Sequence, residues 1–311
     1  MKPVRIAEIH SGDLTANCPR ERYHFHRGEY ENLMQTALYR GSFVGKALEV
    51  VHNDGEWGDA AIRMAGVQAV DMIAADIKAE KRELSDAVKE NKSDIHEEAM
   101  IAVVQYAERF NERFKACKHI GCEIPIRWTC EGRKYASHID LLVRDTDNVF
   151  ERGPDRLILA DWKFRQDAPT IDYLARWQQG MLYALATKYG ELLVDGFWVP
   201  FNQWPAVCWM HLPHLKVFQR KTTAKDDMGQ AVTYTKGDSR PDSAILRWAP
   251  FKEERVPSMI NEIQTRVAMY DAGLYPMNPT PVGCFLCPSR EWCDRFDVGQ
   301  TQGMTHDNDA A

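Results

Sequence analysis

Four cysteines constrain this chain more than any other feature. Cys284 and Cys287 are followed by Cys293, and Cys18 stands 266 positions upstream of Cys284. The set reads C…C-x2-C-x5-C. Thiolates at such short spacing, beside Gly283 and Pro288, suit a tight loop wrapped around one soft metal centre. A distant fourth ligand at Cys18 would fasten the two ends of the chain together. Spacing of this kind serves zinc as readily as iron and sulfur, so the residues between the ends have to decide.

Composition narrows the classes. The 311 residues are enough for one large domain or two small ones. Hydrophobic residues make up 44% and charged residues 27%, as in a soluble globular protein. The net charge of −6 gives no global positive field towards nucleic acid. Contact with DNA would need a local basic groove, or metal ions that offset the acidic side chains. The opening residues carry no apolar signal region, and no run of 18 apolar residues occurs. The expectation is a cytoplasmic protein with no membrane segment, in a reducing compartment that keeps thiols available for metal.

Along the chain, Ser11 and Asp13 are helix-capping residues, and Leu14 and Cys18 share one face of a short helix. Two long helices are predicted over 56–90 and 93–116, the second opened by Ser93 and Asp94. Strands are predicted at 123–129, 135–143 and 156–164, separated by turn-rich segments. A helix over 170–188 follows, then strands near 195–200 and 206–212. Residues 219–243 are polar and read as a loop or loose hairpin, and a last amphipathic helix covers about 250–272. The polar tail, 298–311, reads as disordered.

The candidate chemistry lies in the strands. Asp140 follows Ile139 on one predicted strand, and Asp161-Trp162-Lys163 ends the next. Alternation turns Asp161 and Lys163 to the same side. Two carboxylates at the ends of neighbouring strands can share a hard cation such as Mg²⁺, and a lysine beside them can orient a water and offset charge at phosphorus. Asp-x-Lys alone also describes strand-end charges in solvent. On the next helix Gln179 and Tyr183 stand one turn apart on one face, which is equally the pattern of an ordinary polar edge.

The order of these pieces, Cys-Pro-Arg at residue 18, Gly45-x-x-x-Glu49, Ile-Asp140, Asp161-x-Lys163, Gln179-x-x-x-Tyr183 and C-x2-C-x5-C, resembles the RecB-like nucleases of the PD-(D/E)XK superfamily. Within them it is similar to the branch with an iron–sulfur cluster, the CRISPR-associated Cas-four type and AddB-type exonucleases. The resemblance spans roughly residues 11–293. It implies an α/β nuclease core, a mixed central sheet flanked by helices, with a helical insertion and a C-terminal Fe–S segment. One nuclease domain would cover 1–297, with the insertion at about 55–118, the sheet core at about 120–215 and the last helix and cluster segment at 250–293.

The resemblance also distributes roles. Cys18, Cys284, Cys287 and Cys293 would hold a 4Fe–4S cluster. Glu49, Asp140 and Asp161 would ligate Mg²⁺ or Mn²⁺, with the Trp162 carbonyl as a further ligand. The family usually carries a histidine where Glu49 stands, and His52 lies three residues on, so either can supply the upstream ligand; register and the preference of Mg²⁺ for oxygen favour Glu49. Lys163 would position the attacking water, and Gln179 and Tyr183 would line the site. The expected activity is metal-dependent hydrolysis of DNA, exonucleolytic on single-stranded ends. The rivals are a catalytically silent DNA-binding or scaffold subunit and a structural zinc protein. No Gly-x-x-x-x-Gly-Lys-Ser/Thr phosphate loop occurs, so unwinding would fall to a helicase or other DNA-processing partner.

Several residues have a second reading. Trp162 and Trp177 can stack on unpaired bases or pack in the core. Cys117, His119, Cys122 and Cys130 can form a second metal set, or simply flank a helix end and a strand. Cys208, in an apolar strand, reads as a small hydrophobe.

Overall fold

The computed structural model describes residues 8–15, 27, 32–165, 168–213, 224–225, 231–232 and 244–272. The four cysteines of the proposed cluster, most of the polar 219–243 stretch and the tail lie outside the described residues. The chain opens with strand β1 (Glu8–His10) and helix α1 (Ser11–Thr15), whose turn is closed by the Asp13 carboxylate accepting the His10 N–H at 2.9 Å. A helical stretch follows the short β2 (Leu33–Met34): α2 (Thr36–Asp54), α3 (Asp59–Ala79), β3 (Glu83–Leu84), α4 (Asp86–Glu90) and α5 (Lys92–Lys115).

The strands then arrive in quick succession, β4 (Lys118–Cys130), β5 (Arg133–Asp145) and β6 (Arg156–Arg165), followed by α6 (Ile171–Ala175) and α7 (Gln178–Tyr189). A hairpin of β7 (Glu191–Val194) and β8 (Phe197–Val199) turns at Asp195-Gly196, both with positive φ, as a tight hairpin requires. The described chain ends with β9 (Ala206–Pro213), the small β10 (Ala224–Lys225) and β11 (Ala231–Val232) pair, β12 (Ile245–Trp248) and α8 (Val256–Asp271). One mixed sheet runs β12-β9-β6-β5-β4-β7-β8, with β1 added in parallel beside β5.

Strand alternation divides the interior into two layers. On β6, Ile158, Ala160 and Trp162 join the layer under α2 and α5, while Leu157 and Leu159 join the layer under α7 and α8. This mixed sheet between helices is the core expected from sequence. The helix over 56–90 is shorter than expected. It stops at Ala79 because Asn32 donates its side-chain amide to the carbonyls of Glu80 and Lys81, and Lys81 takes a left-handed φ of 53°. The chain can then turn into β3, which pairs with β2.

The helix over 170–188 is likewise two pieces, broken at Arg176-Trp177. Tertiary packing is the cause. Trp177 turns into the core at 3% exposure, its ring 5.2 Å from that of Trp209. Gly180 makes room for it, since a Cβ there would stand 2.4 Å from Trp177 Cε3. Gly180→Ala is therefore expected to destabilise the protein by about 1–3 kcal/mol through overpacking. A thermal melt unchanged from the parent would show that Trp177 does not lie over this helix.

Candidate active site

Strands β5 and β6 pair from Asp145↔Arg156 to Leu141↔Ala160 and then part. On its other edge β6 stays paired with β9 throughout, from Ile158↔Ala206 to Arg165↔Pro213, while β5 stays with β4 and then takes β1 beside Lys134–Ala136. Asp140 and Asp161 are the residues immediately beyond the last pair, so they face each other across the fork. The gap is bridged by one contact, in which the Trp162 N–H donates to Asp140 Oδ2 at 2.7 Å.

Asp161 is 1% exposed and held from two sides. Lys163 Nζ lies 2.6 Å from its Oδ2, and the Tyr183 hydroxyl reaches Oδ1 at 3.4 Å. Gln179 donates its amide to that hydroxyl at 2.6 Å, which completes a chain from Gln179 through Tyr183 to Asp161. The Asp-x-Lys alternation and the Gln-x-x-x-Tyr turn read from sequence thus converge on one carboxylate.

On the opposite layer, Glu49 of α2 pairs with Lys46 at 3.0 Å, and Lys46 reaches Asp76 of α3 at 3.8 Å. His52 goes elsewhere. It is 6% exposed, with Nε2 bonded to the Tyr106 hydroxyl at 2.9 Å and its ring against Trp57, Phe114 and Trp162. Burial, with His119 nearby, pushes its pKa down to about 3. It is a neutral core histidine, and the structure does not bring it to the carboxylates.

One acid was missed in the sequence. Glu123 sits within β4 at φ 49°, a left-handed conformation uncommon outside glycine. The pairs Cys122↔Leu141 and Ile124↔Ile139 put it across from Asp140. Burial raises its pKa, Lys46 opposes the rise, and Glu49 and Asp161 add to it. A glutamate opening a strand gave no sequence signal, because nothing local announces the inverted φ.

Burial and then the neighbouring Asp161 hold Asp140 well above the usual carboxylate range, with Glu123 adding to the effect. Asp161 is also raised, by burial first, against the pull of Lys163. For Lys163, burial works against the charge, but Asp161 and Asp140 outweigh it and raise the pKa, so the ammonium persists. Crowded hard-oxygen donors that repel one another fit a divalent cation, whose charge would relieve them. Among the described residues no three His, Cys, Asp or Glu side chains form a ready-made cage.

The remaining cysteines are separate. Cys117, Cys122, Cys130 and Cys208 are free thiols, and burial raises the Cys117 pKa to about 12. Trp162, at 6% exposure, and Trp177 are core residues here, closed to stacking on bases.

This fold and site define a class. A model of the PD-(D/E)XK nuclease superfamily matches residues 13–294, and the chain belongs to that superfamily. Its members use divalent metals such as Mg²⁺ or Mn²⁺. No curated protein matches the chain. Among solved structures, a candidate exonuclease from Eubacterium rectale is 10% identical, with 94% of this chain and 88% of that one covered at a TM-score of 0.49. The protein SSO0001 is 10% identical, with 91% and 95% covered at a TM-score of 0.29. At these scores neither likeness bears on the chemistry of this chain. No helix among the described residues is long and apolar enough to cross a membrane.

The raised carboxyl pKa values make a prediction with a definite sign. A carboxyl whose pKa is higher folded than unfolded favours folding at acid pH, and that advantage fades as pH rises through the folded value. Without metal, Asp140→Asn should raise the melting temperature near neutral pH, since Asn keeps the acceptor for Trp162 and removes the charge. The gain should vanish in acid, below the unfolded aspartate pKa. Melts across pH in EDTA measure it; an equal loss at every pH would mean that Asp140 is not held under repulsion.

Proposed function

We propose that this protein is a metal-dependent DNA nuclease that hydrolyses phosphodiester bonds, working exonucleolytically on single-stranded ends. The observation that carries this reading is the juxtaposition of Asp140 and Asp161 just beyond the last β5–β6 pair, with Lys163 bound to one of them. Asp140, Asp161 and Glu49, with the Trp162 carbonyl, are the residues that would hold Mg²⁺ or Mn²⁺. The bound cation would supply Lewis-acid polarisation of the phosphate and a water made more nucleophilic.

The chain's own residues supply the rest. The Lys163 ammonium carries a persistent positive charge beside the place where phosphorane charge develops. Tyr183, held by Gln179, fixes the rotamer of Asp161 and shields it from bulk water. The layers on either side of β6 keep the pair in a low-dielectric setting, where each charge acts more strongly than in solvent.

We also assign Cys18, Cys284, Cys287 and Cys293 to a 4Fe–4S cluster with a structural role. The supporting observation is that α1 and α8, the elements leading towards these cysteines, are packed together. Tyr270 donates its hydroxyl to the Asp13 carbonyl at 2.6 Å, and Leu14 shares a core cluster with Ile263, Val267 and Tyr270. The substrate is DNA, and a helicase or other DNA-processing subunit is the fitting partner.

Asp161→Ala and Lys163→Ala should each lower Mg²⁺- or Mn²⁺-dependent cleavage of end-labelled single-stranded DNA on the order of 10²-fold or more. Glu49→Ala should follow them, whereas His52→Ala should act through stability alone. Full activity in Asp161→Ala removes the assignment of this site. For the cluster, Cys18→Ser should strip iron and acid-labile sulfide from anaerobically purified protein, and Cys208→Ser should not. Retained iron in Cys18→Ser would show that the two ends are not joined by it.

A further inference from the structure

The alternation that turns Asp161 and Lys163 to one side of β6 continues to its last residue, Arg165. Both cations rest on the same aromatic ring, the buried Trp209 of β9. Lys163 Nζ is 5.9 Å from its centroid and Arg165 Cζ is 5.4 Å. Trp209 is held from behind by Trp177, and Tyr173 of α6 stands perpendicular to it with ring centroids 5.6 Å apart. Trp209 is 1% exposed while Tyr173 is 47% exposed, so the ring that faces solvent here is the tyrosine.

Arg165 is exposed, and among the described residues its guanidinium forms no ion pair and no hydrogen bond. An exposed guanidinium seated on an indole that also carries a half-exposed tyrosine, two residues from the lysine of the proposed site, has the makings of a nucleotide subsite. Guanidinium matches two phosphate oxygens at once. Two residues along a strand span about 6.7 Å, a separation of the order of that between neighbouring phosphates. A phosphate at Lys163 therefore leaves the next one within the reach of Arg165. In a chain of net charge −6, a local cation of this kind is what contact with DNA requires.

We propose that Arg165 and Tyr173 form a subsite for the nucleotide adjoining the scissile phosphate, Arg165 taking its phosphate and Tyr173 stacking on its base. This rests on the nuclease reading and adds to it the pair of side chains that grips the flanking nucleotide of an unpaired strand.

The test is fluorescence anisotropy with a short labelled single-stranded oligonucleotide in EDTA, across a salt series. Arg165→Gln should weaken binding about tenfold at low salt and reduce the slope of log K against log salt by about one. Arg165→Lys should restore the slope. Tyr173→Ala should weaken binding severalfold and leave the slope alone, because stacking releases no counterions. Unchanged affinity and slope in Arg165→Gln overturns the subsite, even if the parent protein cuts DNA with Mg²⁺ or Mn²⁺. Expected binding effects in a protein that cuts no DNA support the subsite and remove the nuclease reading instead. A parent protein that binds no oligonucleotide in EDTA overturns the subsite, and cleavage with Mg²⁺ or Mn²⁺ then decides the nuclease reading by itself.

Discussion

The hydrogen bond from the Trp162 N–H to the Asp140 carboxylate holds together the place where the sheet divides. Beyond Leu141↔Ala160 the two strands leave each other, β6 keeping its ladder with β9 and β5 its ladder with β4, and β1 joins β5 further on. A ladder that simply stopped would leave a backbone N–H buried without a partner, which is costly. Here a side-chain carboxylate takes the place of the missing carbonyl. The sheet can then open without exposing its backbone, and the opening leaves two acids at the fork with Lys163 bound to one of them.

That arrangement costs stability. Asp140, Asp161 and Glu123 are desolvated and repel one another, and Lys163 neutralises only part of the charge. Glu123 adds a left-handed backbone, a conformation that costs about 1–3 kcal/mol for a residue with a side chain. The two apolar layers offset this. The layer beneath α2 and α5 is rich in aromatic rings, including Tyr39, Phe43, Tyr106, Phe110, Phe114 and Trp162, and His52 is absorbed into it as a neutral ring. The layer beneath α7 and α8 holds Trp177 and Trp209, which back the active face of β6. Strain and like charge gathered at one point of an otherwise well-packed molecule is the pattern expected where function opposes stability.

The platform at Trp209 extends this logic along β6. A single buried indole supports both the lysine that neutralises Asp161 and the arginine two residues on. The same strand that supplies the acid therefore supplies a row of charges at the repeat of the backbone. Arg165 sits at the exposed end of that row and Asp161 at its buried end, so the row runs from solvent into the fork.

Much of the core was legible in the sequence because it depends on short-range periodicity. The strands around Asp140 and Asp161, the shared face of Asp161 and Lys163, and the single helical turn joining Gln179 to Tyr183 all follow from spacings of two or four residues. Spacing of this kind tells which residues can point the same way. What they meet was set by long-range packing. It broke the helix before Trp177 so that this ring could reach Trp209, drew His52 into the aromatic layer, and inverted the backbone at Glu123 to set an unforeseen acid opposite Asp140. Each of these outcomes depends on contacts between segments far apart in the chain, and local periodicity carries no information about such partners.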